Sequence, residues 1–211
     1  DTIVPGEYYH ICSRGVMKRQ IFFDGRDYAR FLFMILFFQS PIAFDNLGRL
    51  ISNYHRDINF GITTETITNI IRKRVVELAA FALMPNHIHL LIKEKNENGI
   101  AIYAKRFIGG YAKYFNTKYK QTGHVFESKY RRVHIKDNDQ LLYTSAYIHR
   151  NCTEIKEWRQ REVQYPWSSY QDYASQCRWP KLLDTILISE QFKNGKEYTD
   201  WVEESGAKDY F

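Results

Sequence analysis

The spacing of apolar residues along the chain predicts an alternation of strands and helices. In a half-buried strand apolar and polar residues alternate, whereas in a helix apolar residues recur every three or four positions. The predicted elements are a strand at 7–16, a helix at 25–40, strands at 75–84 and 87–93, a helix at 99–121, a strand at 124–135 and a helix at 140–151. This order predicts an α+β protein: a ferredoxin-like β-α-β-β-α-β sandwich with an added C-terminal helix.

Polar and proline residues mark where these elements begin and end. Asp24 precedes the first helical pattern, which stops before Pro41. Pro85-Asn86 predicts a tight turn between two strands, which makes them a hairpin. Asp137 begins a short polar run that is expected to cap the last helix.

Two stretches of the chain fall outside this predicted order of strands and helices. Residues 41–74 show no single period and are interpreted as an insertion, in which Thr63 or Thr64 caps a short helix. Residues 181–211 carry no recognisable motif and are interpreted as a C-terminal extension. We therefore expect one domain at 1–180, which the insertion interrupts, followed by the extension.

Composition limits the class of protein. The chain has 211 residues, of which 44% are hydrophobic and 26% charged, so it can bury a core without help from a cofactor or disulfide. Thirty Lys and Arg against 24 Asp and Glu give a net charge of +6, and such an excess favours polyanionic partners. On charge alone, a soluble basic protein with no such partner is an equally good interpretation.

The cysteines and the apolar stretches indicate the compartment. Cys12, Cys152 and Cys177 are far apart and form no CxxC pair, which argues against a disulfide framework or a cysteine zinc site. The longest apolar stretch, residues 31–38, is far shorter than the roughly 20 residues that span a bilayer. We expect a cytoplasmic protein that does not enter a membrane.

Two histidines interrupt the apolar run that forms the predicted hairpin. Because strand residues two apart face the same side, His87 and His89 project together, while Ile88, Leu90 and Ile92 point into the core. Two imidazoles at this spacing can bind one divalent cation. The alternative is that both are ordinary polar residues on a solvated sheet face, which an isolated H-x-H motif does not exclude.

The last predicted helix carries groups that would complete such a site. Tyr147 and Asn151 are four residues apart and so lie on one helical face, with Tyr143 one turn earlier, while His149 lies on the other face. The amide oxygen of Asn151 is a suitable ligand for a hard cation, and the Tyr147 phenol would then lie next to it. Alternatively, a tyrosine stripe at helical spacing is simply core.

Several motifs in a fixed order carry a resemblance to a known family. They are "CSRG", "IFFDGRDYARFL", "LMPNHIHLLI", "TGHVFESKYRRVHI", "YIHRN" and "YPWSSY". Together they resemble the single-tyrosine HUH transposases of the IS200-like superfamily, particularly the REP-associated tyrosine transposase class. The resemblance covers most of residues 7–173 except the insertion.

This resemblance implies a DNA-nicking and strand-transfer enzyme on a ferredoxin-like scaffold. By motif, His87 and His89 are the HUH pair, Tyr147 is the nucleophile, and Asn151 is the polar residue that joins the two histidines in holding Mg or Mn. The substrate implied is single-stranded hairpin or repeat-end DNA, which becomes linked to the tyrosine through its 5′ phosphate. The family usually continues after the asparagine with Pro and a basic, Gly-containing stretch, whereas here Cys152-Thr153-Glu154 follows.

Basic residues on and near the predicted strands are candidate DNA contacts. They are Arg14, Lys129, Arg131 and Arg132. The alternative for each is a solvated surface charge. The resemblance is compatible with a homodimer, since related enzymes occur as dimers that share active sites and as monomers.

Two other functions remain open at this stage. A non-catalytic ferredoxin-like module would bind nucleic acid through aromatic side chains on its sheet. A metallohydrolase of small phosphoesters would use the histidines and leave Tyr147 with a structural role.

Overall fold

Four strands form one antiparallel sheet. The structure is a computed structural model that describes residues 3–54, 56–127 and 130–207. The strands are β1 (Tyr8–Arg14), β2 (Val76–Met84), β3 (His87–Glu94) and β4 (Arg131–His134). Their order in the sheet is β2-β3-β1-β4, and every neighbouring pair is antiparallel. The sheet and the helices between its strands confirm the predicted α+β fold class.

The helices follow the strands in the predicted order. Within the described ranges the α-helices are α1 (Gly25–Phe37), α2 (Leu47–Asn53), α3 (Thr64–Lys73), α4 (Gly99–Tyr119), α5 (Asn138–Arg150), α6 (Tyr170–Ala174), α7 (Ile186–Ser189) and α8 (Gly195–Glu204). With α2 and α3 set aside as the insertion, β1-α1-β2-β3-α4-β4 reproduces the β-α-β-β-α-β order, and α5 is the added helix.

Side-chain caps fix where the main helices begin. The Asp24 carboxylate accepts hydrogen bonds from the backbone amides of Arg26 and Asp27, both at 3.0 Å. The Asp137 carboxylate accepts from the amide of Gln140 at 2.8 Å and so begins α5. Both caps agree with the sequence-based expectation.

The first helix ends earlier than its apolar pattern predicts. The pattern extends to residue 40, but α1 ends at Phe37. The side-chain amide of Gln39 donates to the carbonyls of Leu36 at 2.9 Å and Leu182 at 2.7 Å. Because Gln39 satisfies a carbonyl of the last turn, the chain can leave the helix while still buried.

Helices cover both faces of the sheet. Strand residues such as Ile11, Leu90 and Ile92 form one core with α1 and α4. Alternate residues, among them Ala82 and Leu91, form a second core with α5, α6 and α8. The predicted inward direction of Ile88, Leu90 and Ile92 is therefore confirmed, and the opposite side of β3 is also buried.

The last strand is shorter than predicted. Alternation extends over residues 124–135, yet only Arg131–His134 pairs with β1, and all four of its side chains are exposed. Phe126 makes an isolated bridge to Gly15 instead of continuing the strand. Alternating residues form a strand only where a partner strand offers its hydrogen-bonding edge, and β1 (Tyr8–Arg14) pairs with β4 through Tyr9 to Cys12 only.

The insertion contains two helices where the sequence predicted one. Thr63 caps α3 as expected, since its hydroxyl accepts from the amide of Thr66 at 3.2 Å. Helix α2 was not predicted. Phe60, which lies between the two helices, is buried edge-on against Phe33 and Phe37, with ring centroids 5.2 and 5.7 Å apart. The insertion thus packs on α1.

The C-terminal residues contribute to both cores. Trp179, Leu182 and Leu183 join the core under α1, whereas Tyr198 and Val202 of α8 are buried beside α5. No helix within the described residues is long and apolar enough to cross a membrane.

Candidate active site

The two histidines of the hairpin lie together beneath α5. His87 and His89 are 6% and 4% exposed, and their ring centroids are 4.9 Å apart. The interpretation that they lie on a solvated sheet face is therefore wrong, because α5 and the second core cover that face. Imidazoles buried at such a place need hydrogen-bond partners, since an unsatisfied buried polar group is costly.

Each histidine places its Nδ1 within hydrogen-bond distance of another side chain. Nδ1 of His87 lies 2.7 Å from Oδ1 of Asn86, and the amide nitrogen of Asn86 in turn donates to the Lys18 carbonyl at 3.1 Å. Nδ1 of His89 lies 2.9 Å from Nε2 of His10. Coordination of a cation by this pair would therefore use the Nε2 atoms.

Helix α5 brings Tyr147 to the histidines. The Tyr147 ring meets His89 edge-on, with centroids 5.4 Å apart, and meets His10 edge-on at 5.8 Å. The helix takes this position because Leu141, Ala146 and Ile148 pack into the second core. A phenol and the H-x-H pair thus lie together within a single chain.

The surroundings of Tyr147 keep its phenol protonated. Burial raises the pKa of Tyr147, and its electrostatic interactions with Cys12 and Glu154 act in the same direction. A side-chain hydrogen bond with Asn151 and the positive charge of Arg14 lower the pKa. The resulting pKa lies above the ordinary value.

Asn151 lies at the end of α5 and contacts the nucleophile candidate. It is 2% exposed, and its amide nitrogen donates to the Tyr147 carbonyl at 2.7 Å. This hydrogen bond satisfies one of the last carbonyls of the helix. Because the amide nitrogen is directed at the backbone, Oδ1 is the atom of Asn151 that has the character of a ligand for a hard cation.

As a ligand set, His87, His89 and Asn151 would offer two imidazole nitrogens and one amide oxygen to a divalent cation. Within the described residues, no group of three or more His, Cys, Asp or Glu side chains could hold a metal ion. His87, His89 and Asn151 include only two such side chains, so a site formed by them would depend on the neutral oxygen of Asn151. Ligands of this type bind Mg or Mn less tightly than carboxylates do, but they leave coordination positions on the cation for phosphate oxygens.

His149 lies on the far side of α5, as the helical spacing predicted. Its Nδ1 is 2.7 Å from the Tyr198 hydroxyl and its Nε2 is 2.7 Å from the Ser169 hydroxyl. Burial lowers the pKa of His149 to about 3, so the ring is neutral. It connects the helix that carries Tyr147 to α8 and to the segment before α6.

The predicted basic residues divide between the two faces of the sheet. In the register, Arg14 pairs with His87 and Arg131 pairs with Cys12, which pairs with His89 in turn. Both arginines therefore lie on the face of the histidines. Arg132 pairs with Ile11, a residue of the opposite core, so alternation turns it away from the site. Lys129 lies outside the described residues.

A cavity of about 430 Å³ opens beside His87. It is lined by residues of the loop after β1, the β2–β3 turn and the segment after α5; these include Lys18, Gln20, Asn86, His87, Glu154 and Lys156.

Sequence reasoning missed His10. Its ring stacks on that of His89, with centroids 5.1 Å apart and planes 25° apart, and is 6% exposed. Burial lowers the pKa of His10 to about 4. The alternation of β1 places His10 on the same face as Cys12 and Arg14, but only the pairing register brings it next to the histidines of β3.

The fold and this geometry define a class: a ferredoxin-like α+β protein in which a helix holds a tyrosine against a strand histidine pair. Residues 54–151, which contain the histidines, the tyrosine and Asn151, match the family model described as "Transposase IS200 like". The predicted resemblance to IS200-like transposases is thus confirmed.

A solved structure shows the same fold. The structure of a REP-associated tyrosine transposase bound to a REP hairpin is similar with a TM-score of 0.52 and 12% sequence identity, over 88% of this chain and 90% of that chain. No curated protein sequence matches the chain.

Proposed function

We propose that this protein is a metal-dependent single-strand DNA endonuclease and strand transferase, which acts on hairpin or repeat-end DNA through a 5′-phosphotyrosine intermediate. The observation that carries the proposal is the edge-on contact of Tyr147 with His89, at 5.4 Å between centroids. In the proposal, this contact brings the nucleophile to the histidine pair that binds the cation. The transposase match of residues 54–151 supports DNA as the substrate, and the solved neighbour is bound to a REP hairpin.

In this proposal Tyr147 supplies the attacking oxygen. The phenol gives up its proton as its oxygen bonds to phosphorus, and the 3′ oxygen of the preceding nucleotide leaves and takes up a proton. A Mg or Mn ion held by His87, His89 and Asn151 would neutralise charge on a nonbridging phosphate oxygen. The tyrosine ester retains the phosphoester bond, which permits a later transfer to another 3′ hydroxyl.

The groups around Tyr147 suit a nucleophile that is activated only when substrate is present. Burial raises its pKa, whereas Arg14 and Asn151 already favour the phenolate. Since Arg14 lies on the histidine face, its charge is also available to a phosphate at the site. Orientation by a rigid helix and sheet supplies the alignment that in-line attack requires.

The alternative of a non-catalytic nucleic-acid module is less well supported. Such a module stacks bases on aromatic side chains of an open sheet. Here α1 and α4 cover one face and α5, α6 and α8 cover the other. A hydrolase of small phosphoesters would need no tyrosine beside the histidines, so a covalent adduct separates it from the proposed enzyme.

The decisive experiment is to trap the covalent adduct. Purified protein is incubated with hairpin oligonucleotides from DNA flanking its gene, in Mg or Mn, and examined on a denaturing gel. The wild-type protein should form an adduct that Tyr147→Phe abolishes, because this change removes one hydroxyl and little volume. Tyr143→Phe, one turn earlier on α5, is the matched control and should retain the adduct.

Asn151→Ala tests the oxygen ligand separately. The variant should need a higher Mn concentration for the same adduct yield, since the nucleophile remains and the cation is held less tightly. An adduct of full yield in Tyr147→Phe would show that another residue is the nucleophile.

A further inference from the structure

His10 contacts the proposed site from β1, a strand that carries neither the nucleophile nor any of the three proposed cation ligands. It lies on β1, and its Nε2 is 2.9 Å from Nδ1 of His89. Its ring is buried against two members of the site, stacked on His89 and edge-on to Tyr147. A histidine in this place either donates to His89 or accepts from it, and the two cases have opposite consequences for cation binding.

The position of the proton on His87 follows from its neighbours. The amide nitrogen of Asn86 donates to the Lys18 carbonyl, so the atom of Asn86 that faces His87 is the oxygen. An amide oxygen can only accept, and therefore Nδ1 of His87 carries the proton. In the neutral ring the lone pair is then on Nε2, the nitrogen that can coordinate a cation.

The same logic applied to His89 assigns a role to His10. Nδ1 of His89 faces His10, so a cation can only be bound at Nε2, and Nδ1 must then carry the proton. We propose that His10 is a positioning residue: its Nε2 accepts a hydrogen bond from Nδ1 of His89 and holds that ring in the tautomer whose Nε2 binds the cation. The proposal rests on the proposed function for the identity of the ligands.

The first test measures the tautomer directly. In metal-free protein with ¹⁵N-labelled histidines, long-range ¹H–¹⁵N spectra distinguish a ring protonated at Nδ1 from one protonated at Nε2. Wild-type His89 should carry its proton on Nδ1. In His10→Leu, which removes the acceptor at similar volume, the form protonated at Nε2 should gain population; in His10→Gln, whose side-chain oxygen can accept, Nδ1 should remain protonated.

The second test measures cation affinity without DNA. By calorimetric titration with Mn, His10→Leu should bind about 10- to 100-fold more weakly than the wild-type protein, the usual effect of removing the hydrogen-bond partner of a ligating histidine. His10→Gln should recover most of that loss. His134→Leu, which removes a histidine from the neighbouring strand β4, should change neither affinity nor tautomer. Thermal unfolding of each variant reports whether the fold is intact.

Two results would overturn the proposal: wild-type His89 protonated at Nε2, or a folded His10→Leu protein with unchanged tautomer and Mn affinity. The wild-type spectrum decides even where the leucine variant does not fold. A protein with the expected tautomers that forms no covalent adduct with DNA would refute the proposed function and leave the role of His10 standing. An adduct with DNA, together with His89 protonated at Nε2, would support the proposed function and refute the role of His10.

Discussion

His149 permits a quantitative prediction about the helix that carries Tyr147. It is fully buried, and both its ring nitrogens are hydrogen-bonded to hydroxyls, at 2.7 Å from Tyr198 and 2.7 Å from Ser169. Burial lowers its pKa to about 3, whereas a histidine in the unfolded chain titrates near ~6.5. Between these two values the unfolded state binds a proton that the folded state does not.

The free energy of unfolding must therefore fall as the pH falls through this window. The contribution is fully present above about pH 6.5 and declines by about 1.4 kcal/mol per pH unit until the folded protein also takes up the proton near pH 3. Between pH 7.5 and pH 5 the loss from this one residue is about 2 kcal/mol. His10, whose pKa burial lowers to about 4, adds a loss of the same sign.

The comparison that isolates His149 is a change to a residue that does not titrate. His149→Gln should cost about 1–3 kcal/mol at pH 7.5, because Gln cannot satisfy both hydroxyls. Between pH 7.5 and pH 5, the free energy of unfolding of His149→Gln should fall by about 2 kcal/mol less than that of the wild-type protein. The two proteins should thus approach one another in stability at pH 5.

Urea denaturation at both pH values gives the four free energies required. His134→Gln, in the exposed strand β4, is the matched control and should keep the pH dependence of the wild-type protein. Parallel loss of stability in the wild-type and His149→Gln proteins would refute the reasoning, since it would mean that His149 titrates alike in the folded and unfolded states.

Two further predictions concern DNA binding and backbone packing. Replacing Arg14 and Arg131 with Ala should flatten the slope of log affinity against log salt for a hairpin oligonucleotide by about 1.4 to 1.8, from about 0.7 for each single-strand phosphate contact and about 0.9 for each duplex contact. Arg132→Ala should not change the slope, because Arg132 faces away from the site. Fluorescence anisotropy measures both slopes, and an equal effect of Arg132→Ala would contradict the assignment of faces. Gly99→Ala should destabilise the protein, because the new Cβ would lie 2.2 Å from the Val75 carbonyl oxygen. Gly109→Ala, in the interior of α4 where a Cβ has open space, should stabilise the protein by about 1 kcal/mol. Thermal denaturation compares the two variants, and a Gly99→Ala protein as stable as the wild type would disprove the close approach.

The order of elements could be predicted because it depends on local patterns. The alternation around His87 and His89, the turn at Pro85-Asn86 and the cap at Asp24 each act within a few residues. The end of α1 could not be predicted in this way. It depends on a hydrogen bond from Gln39 to Leu182, a residue that is distant in sequence.

The site was predictable in part for the same reason. His87 and His89 share a face by alternation, and Tyr147 and Asn151 share one by helical spacing, so each pair could be found within its own element. That the two pairs lie together was inferred from the family resemblance. His10 escaped because its contact with His89 depends on the register of β1 against β3, and a shift of one residue would move it to the other core.

The position of Tyr147 depends on parts of the chain that carry no motif. One side of α5 presents Tyr147 to the histidines, and the other side is held by His149, which contacts Tyr198 of α8. The Tyr198 hydroxyl also donates to Ser145, one turn before His149 on α5. A helix that was held only by its contact with the sheet could rotate and move the phenol, whereas contacts on both sides fix its rotation. The C-terminal extension, which carries no recognisable sequence motif, therefore helps to fix the orientation of Tyr147 that the proposed chemistry requires.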